Sequence, residues 1–222
     1  MTVADTGETV DRSFCFVDLA GFTALTEAHG DAEAVSLLDE FLLMARRALG
    51  PDDELVKSIG DAVMLASPTP EAAVRAAVGL MASCQNASGF PLPRAGAHHG
   101  PAIARNGDYL GGAVNLAARV AGQAGGGQLL VTIAVAEAAS ALGLGVAALG
   151  SHRLRNVSEP VDLFEVSLGA DATSHTVDPV CRMHLRREQA AGSIRHAGRE
   201  YWFCSLACLG AFVSNPGTYL ES

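Results

Sequence analysis

The sequence predicts an α+β fold: a ferredoxin-like βαββαβ core followed by a small C-terminal unit made of a β-hairpin and a helix. Three observations carry that expectation. Between Phe14 and Gly100 the apolar pattern changes in the order strand, helix, strand, strand, helix, strand, which is the order of a split βαβ sandwich. Turn and cap residues punctuate it at Gly50-Pro51, Gly60-Asp61 and Thr69-Pro70, where the chain has to stop one element and start another. Three of the five cysteines, Cys181, Cys204 and Cys208, fall in the last fifth of the chain, which marks a second unit with its own chemistry. The expected divisions are an N-terminal tail 1–12, a core domain 13–168, a linker 169–176 and a terminal domain 177–222.

Composition sets the outer bounds. With 222 residues, 49% of them apolar, the chain can bury a substantial core. A formal charge of −9 argues against non-specific nucleic-acid binding, which needs a basic face. Met1–Arg12 lacks the basic-then-apolar layout of a secretory signal. The apolar stretch Leu129–Gly150 is about as long as a membrane span, but it contains Glu137, Gly143 and Gly145 and has no basic flank. A buried strand followed by an Ala-rich helix explains it better. The expectation is a soluble, cytoplasmic protein with no membrane and no nucleic-acid partner.

Phe14-Cys-Phe-Val-Asp18 reads as an apolar strand ending in a carboxylate, and Leu19-Ala-Gly-Phe-Thr23 as the turn into a helix. Free N–H groups at a helix start bind anions, and Gly21 lets a phosphate come close. Asp18 is suited either to holding the magnesium of a polyphosphate or to capping the helix. Asp31–Leu49 is amphipathic, with Val35, Leu38, Leu42 and Ala45 on one stripe, widened by Leu37, Phe41 and Met44. Leu55–Ile59 and Ala62–Ala66 flank Gly60-Asp61 and read as a tight hairpin. Lys57 interrupts its first strand, and Asp61 sits at its tip, within reach of solvent or a cation.

Thr69-Pro70-Glu71 caps a helix that continues through Val74, Val78 and Met81 to about Gln85. Arg94–Gly100 follows as a strand; its adjacent His98 and His99 point to opposite faces and do not suit one ion. Asn106–Gly112 is a glycine-rich loop leading into the helix Ala113–Ala121. There Asn115 and Arg119 share a face, an amide and a fixed cation suited to a ribose and a phosphate. Gly122–Gly127 links to a strand at Leu129–Thr132 and a helix at Ala134–Leu142. Further strands are expected around His152–Arg155 and Asp162–Ser167.

In the terminal unit, Asp178-Pro-Val-Cys181 precedes a hairpin turning at Ala197-Gly198, with Glu200–Phe203 as its second strand. Ser205 is placed to cap a helix whose first turn holds Cys208. Cys204 and Cys208 straddle a strand–helix junction, and Cys181 lies 23 positions before Cys204. That set suits one soft metal ion, with His184 and His196 as candidate fourth ligands. Without a signal peptide, metal or redox chemistry in a reducing compartment explains the cluster better than a disulfide. Cys15 and Cys84, each alone in an apolar run, read as core residues.

With these pieces assembled, the first 168 residues resemble the catalytic domain of a class III adenylate/guanylate cyclase. The matching stretches are Phe16-Val-Asp-Leu-Ala-Gly-Phe-Thr23, Lys57-Ser-Ile-Gly-Asp61 and Gly107-Asp-Tyr-Leu-Gly-Gly-Ala-Val-Asn-Leu-Ala-Ala-Arg119. The resemblance implies a head-to-tail homodimer with shared active sites and ATP as substrate. It implies that Asp18 and Asp61 of one protomer hold two Mg2+ or Mn2+ ions, helped by the Leu19 carbonyl. Lys57 and Asp108 of the other protomer would read adenine, Asn115 would orient the ribose, and Arg119 would stabilise transition-state charge. The N–H groups of Gly21, Phe22 and Thr23 would cradle the terminal phosphates, with Arg155 assigned to the phosphates from a later strand.

Val177–Leu220 resembles a YHS or TRASH-like metal-binding domain through Asp178-Pro-Val-Cys181, Gly198-Arg-Glu-Tyr-Trp-Phe-Cys204, Cys208, Phe212, Pro216 and Tyr219. Arg182 stands where that family usually has glycine. The resemblance implies a site for Zn or Cu, and the fusion implies that the metal regulates the cyclase. Two functional classes follow: an adenylate cyclase, or a non-enzymatic metal sensor or carrier whose cyclase-like half only dimerises. A guanylate cyclase is disfavoured, because guanine reverses the donor and acceptor that Lys57 and Asp108 would meet.

Overall fold

The computed structural model describes residues 7–169 and 175–220. The first unit runs β1 (Glu8–Leu19), α1 (Phe22–His29), α2 (Asp31–Ala48), β2 (Glu54–Ile59), β3 (Ala62–Ser67), α3 (Pro70–Asn86), β4 (Phe90–Pro91) and β5 (Pro93–Arg105). It continues with β6 (Asp108–Leu110), α4 (Gly112–Ala121), β7 (Leu129–Val131), α5 (Ile133–Ala141), β8 (Val146–His152) and β9 (Val161–Val166). The second unit comprises β10 (His175–Val177), β11 (Met183–Arg186), β12 (Gly192–His196), β13 (Arg199–Phe203), α6 (Leu206–Ser214) and α7 (Pro216–Leu220). Among the described residues no helix is long and apolar enough to cross a membrane.

The main sheet has the order β2-β3-β1-β5-β7-β9-β8, with β6 paired to β5. Its first four strands stand in the order a βαββαβ unit produces, with β1 central and antiparallel to both β3 and β5. Alternation along β1 separates two layers. Cys15, Val17 and Leu19 pack with Leu25, Phe41, Leu80, Met81 and Val135 from the helices on one side. Phe14 faces the other side with Met64, Tyr109, Val114 and Ala117, beneath α4. Helix α4 lies directly on β5 because Gly96 has no side chain: a Cβ there would stand 2.0 Å from the Ala121 nitrogen.

Local signals place most elements as expected. Gly60 turns the β2–β3 hairpin with φ 61, and the Ala72 N–H donates to Thr69 Oγ1 at 3.3 Å, capping α3. Three expectations need correction. Glu8–Arg12, taken as tail, belong to β1 and pair with β5; their polar side chains alternate along an exposed margin of the sheet and leave no apolar signature. The strand expected at His152–Arg155 is Val146–His152. That strand is an exposed edge with a register shift at Ala148/Gly150, so its burial pattern does not alternate. Of the expected linker 169–176, residues 170–174 lie outside the described residues, while His175 and Thr176 belong to β10.

The second unit folds as its turn chemistry dictates. Ala197 (φ 48) and Gly198 (φ 81) turn β12 into β13, and Ser205 Oγ accepts from the Cys208 N–H at 3.1 Å to cap α6. Phe212 is its hub, packed against Tyr201, Phe203 and Tyr219. The unit does not stand apart. β11 pairs with β4 of the first unit, Met183 opposite Pro91 and His184 opposite Phe90.

Candidate active site and a second, sulfur-rich site

Strand pairing brings the two predicted cation carboxylates together. Asp18 lies at the end of β1, opposite Ala62 of β3, and the Leu19 N–H donates to the Asp61 carbonyl at 3.3 Å. Asp61 is therefore held at the tip of its hairpin beside Asp18. Burial, then the charge of Asp18, pushes the Asp61 carboxyl above the ordinary carboxylate range. Arg94, which sequence reasoning missed, donates from Nη2 and Nε to Asp18 Oδ2 at 2.5 and 2.7 Å. The β1–β5 register puts Arg94 directly opposite Asp18. Two close carboxylates form a donor set suited to hard divalent cations.

Helix α1 starts two residues after Leu19. Gly21 occupies its N-cap in the left-handed region, φ 79, with no side-chain cap. The first-turn N–H groups of Phe22 and Thr23 thus lack a capping oxygen, the arrangement that receives an anion.

The predicted base-reading pair also comes together. Lys57 Nζ donates to Asp108 Oδ2 at 2.5 Å across 51 positions of sequence. That bond holds the Asp108 carboxyl below its usual value. The Tyr109 N–H donates to Asp108 Oδ1 at 2.8 Å, and the Tyr109 hydroxyl donates to Glu54, so β6 is tied to β2. Asn115 and Arg119 project from the exposed face of α4, whose opposite face buries Ala113, Val114, Ala117 and Val120. Within one chain the structure thus pairs Asp18 with Asp61 and Lys57 with Asp108, and leaves Asn115 and Arg119 facing solvent. Arg155 sits in an exposed turn after β8, not on a strand. His98 and His99 face opposite sides, bonded to Thr132 and Ser13 respectively.

Cys181, Cys204 and Cys208 do converge. Cys181 Sγ lies 3.4 Å from Cys204 Sγ, which lies 3.7 Å from Cys208 Sγ. Hydrogen bonds from Cys181 and Cys204 hold the Cys208 thiol far below its ordinary value. The buried Asp178 carboxylate binds the two arms: Oδ1 accepts from the Val180 N–H and Oδ2 from the Cys204 N–H, both at 2.8 Å. Neither expected fourth ligand is there. Both ring nitrogens of His184 are turned onto backbone carbonyls, those of Phe90 and Gln85, and His196 stands edge-on to Phe212. The imidazole at the sulfurs is His29, from α1 of the first unit. No local motif marks it, since it lies 175 positions from Cys204. Arg182 has φ 64, a backbone conformation that explains the glycine usual at that place.

The family model for the adenylate and guanylate cyclase catalytic domain matches residues 6–164, and that for the YHS domain matches residues 176–222. The chain is 38% identical over 162 residues to a pH-sensitive adenylate cyclase of Mycobacterium tuberculosis, covering 71% of this chain and 41% of that protein. It is 35% identical over 120 residues to an adenylate cyclase of Streptomyces griseus, covering 53% and 30%. This chain thus spans less than half the length of either relative. Among solved structures, an adenylate cyclase from Trypanosoma brucei, described in its monomeric state, superposes with a TM-score of 0.66 at 26% identity, covering 72% of this chain and 89% of that one. The chain therefore belongs to the class III adenylate and guanylate cyclase family and carries a YHS domain at its C-terminal end.

Proposed function

We propose that this protein converts ATP to 3′,5′-cyclic AMP and pyrophosphate in active sites shared between two copies of the chain. The observation that carries the reading is the Lys57–Asp108 pair. It holds a donor beside an acceptor, the complement of adenine N1 and the 6-amino group; guanine would mispair with both. Asp18 and Asp61 would hold two Mg2+ or Mn2+ ions, with the Leu19 carbonyl. The cations, when bound, stabilise the attacking oxygen and the departing pyrophosphate.

The remaining work is positioning and charge neutralisation. N–H groups of Gly21, Phe22 and Thr23 hold the terminal phosphates. Asn115 orients the ribose so that its 3′-oxygen faces the α-phosphorus, and Arg119 neutralises charge that grows on the phosphate. Arg155, in its exposed turn, is available to the phosphates. A shared site accounts for the separation of these groups in one chain. The exposed apolar side chains of Ile59 and Leu110, beside Asp61 and Asp108 and 53% and 52% exposed, support a partner surface there.

The second unit binds Zn or Cu through Cys181, Cys204 and Cys208 and makes catalysis responsive to that metal. Product formation from ATP and from GTP with Mn2+ tests the enzyme reading, in wild type and Asp61→Ala. We expect cyclic AMP from wild type, a large preference for ATP, and loss of product in the variant. No product from either nucleotide in folded dimeric protein would overturn it.

A further inference from the structure

The second unit touches both ends of α1. At the last turn, His29 Nε2 lies 3.5 Å from Cys204 Sγ and 3.7 Å from Cys208 Sγ, and the four donor atoms of His29, Cys181, Cys204 and Cys208 all lie within 4.8 Å of one another. A tetrahedral ion with metal–sulfur bonds of about 2.3 Å and a metal–nitrogen bond of about 2.05 Å has sulfur–sulfur edges of about 3.8 Å and sulfur–nitrogen edges of about 3.6 Å. The Cys181–Cys204, Cys204–Cys208, Cys204–His29 and Cys208–His29 separations of 3.4, 3.7, 3.5 and 3.7 Å are within a few tenths of an ångström of those edges.

At the first turn, Arg182 lays its aliphatic stem on Gly21. A Cβ on Gly21 would meet Arg182 Cβ at 2.5 Å and Cγ at 2.6 Å. Arg182 directly follows Cys181. One ligand of the sulfur-rich site is thus chain-adjacent to the residue covering the phosphate loop, while another ligand is the last residue of the helix that loop begins.

We propose that His29 completes a Cys3His soft-metal site bridging the two units, and that the bound ion fixes α1 at both ends and with it the loop Gly21–Thr23. This rests on the reading of the three cysteines as metal ligands given above. It adds a ligand from the cyclase fold itself and a route from the metal to the nucleotide loop. Three sulfurs and one imidazole in tetrahedral array favour Zn2+ over hard cations, and Co2+ reports the same geometry by its visible spectrum.

The test uses full-length wild type, His29→Ala, His29→Cys and Cys208→Ser. Each is titrated with Co2+ and followed by visible absorption, then examined with and without Zn2+ by amide hydrogen exchange of Phe22–His29. We expect one tetrahedral Co2+ per wild-type chain and an affinity at least tenfold lower with altered bands in His29→Ala. We expect tight binding restored with more sulfur-to-cobalt charge transfer in His29→Cys, and severe weakening in Cys208→Ser. Zn2+ should slow α1 exchange in wild type and His29→Cys but not in His29→Ala. Equal Co2+ affinity and spectra in wild type and His29→Ala, or equal protection of α1, would overturn the bridge while leaving the cysteine site intact. No metal binding by wild type would overturn both. Neither readout depends on cyclase activity, so the outcome for the bridge stands apart from the outcome of the ATP and GTP assay.

Discussion

A carboxylic acid has to release its proton before it can hold a cation, so the cation affinity proposed for Asp61 should depend on pH. Burial and then Asp18 hold its proton more tightly than an exposed carboxyl would, while Arg94 acts in the opposite sense. Mn2+ affinity should therefore be full above that raised value and fall as pH drops through it, by about tenfold per unit for each proton displaced. Removing the guanidinium favours the protonated form, so Arg94→Ala should move the midpoint to higher pH. Mn2+ titrations by electron paramagnetic resonance between pH 7 and 4 measure both effects; a midpoint that stays put in Arg94→Ala would exclude the electrostatic account. At this scale the sequence was legible wherever a charge interrupts an apolar run or tops a turn, as with Asp18, Lys57 and Asp61. Arg94 was not legible, because what it does is set by the β1–β5 register, and nothing local to Arg94 specifies that register.

Elements were legible to the extent that their signals are local. The Thr69 cap, the Gly60-Asp61 turn and the Ser205 cap each act within a few residues, and each appears where the residues place it. The two-residue β4 escaped notice, since it exists only through its pairing with β11 some ninety positions later. Gly96 shows the same dependence on distant partners. A methyl group there meets backbone atoms of Val120 and Ala121, which cannot swing aside as a side chain would. Gly96→Ala should force α4 off β5 at a cost of about 3 kcal/mol or more, lowering the thermal midpoint by roughly 6–12 °C. Thermal denaturation followed by circular dichroism reads this; an unchanged midpoint would mean that α4 is not seated on β5 as described. Because α4 carries Asn115 and Arg119, the same substitution should also lower cyclase activity in protein that remains folded.

At the scale of the whole molecule, the shared-site reading makes a quantitative statement about mixtures. Asp61 would act from one protomer and Lys57 from the other, so Asp61→Ala and Lys57→Glu chains should each be inactive with ATP yet restore one intact site when paired. Random assortment of equal amounts should recover about a quarter of wild-type activity, since half the dimers are mixed and each has one good site of two. Recovery near zero, with mixed dimers demonstrated by mass spectrometry, would place all the groups within one chain.

The division into two units, clear in the sequence, does not hold in space, where β11 leans on β4 and His29 reaches the sulfurs. That sharing has a consequence for synthesis. A chain made from its N-terminus completes α1, with His29 at its last turn, long before Cys181 leaves the ribosome, so this side of the joint is ready before the cysteines arrive. The clasp is then the last part of the molecule to close. On the metal bridge proposed above, a cell short of the metal should accumulate finished catalytic folds with an unfastened end, and later supply should fasten them without refolding.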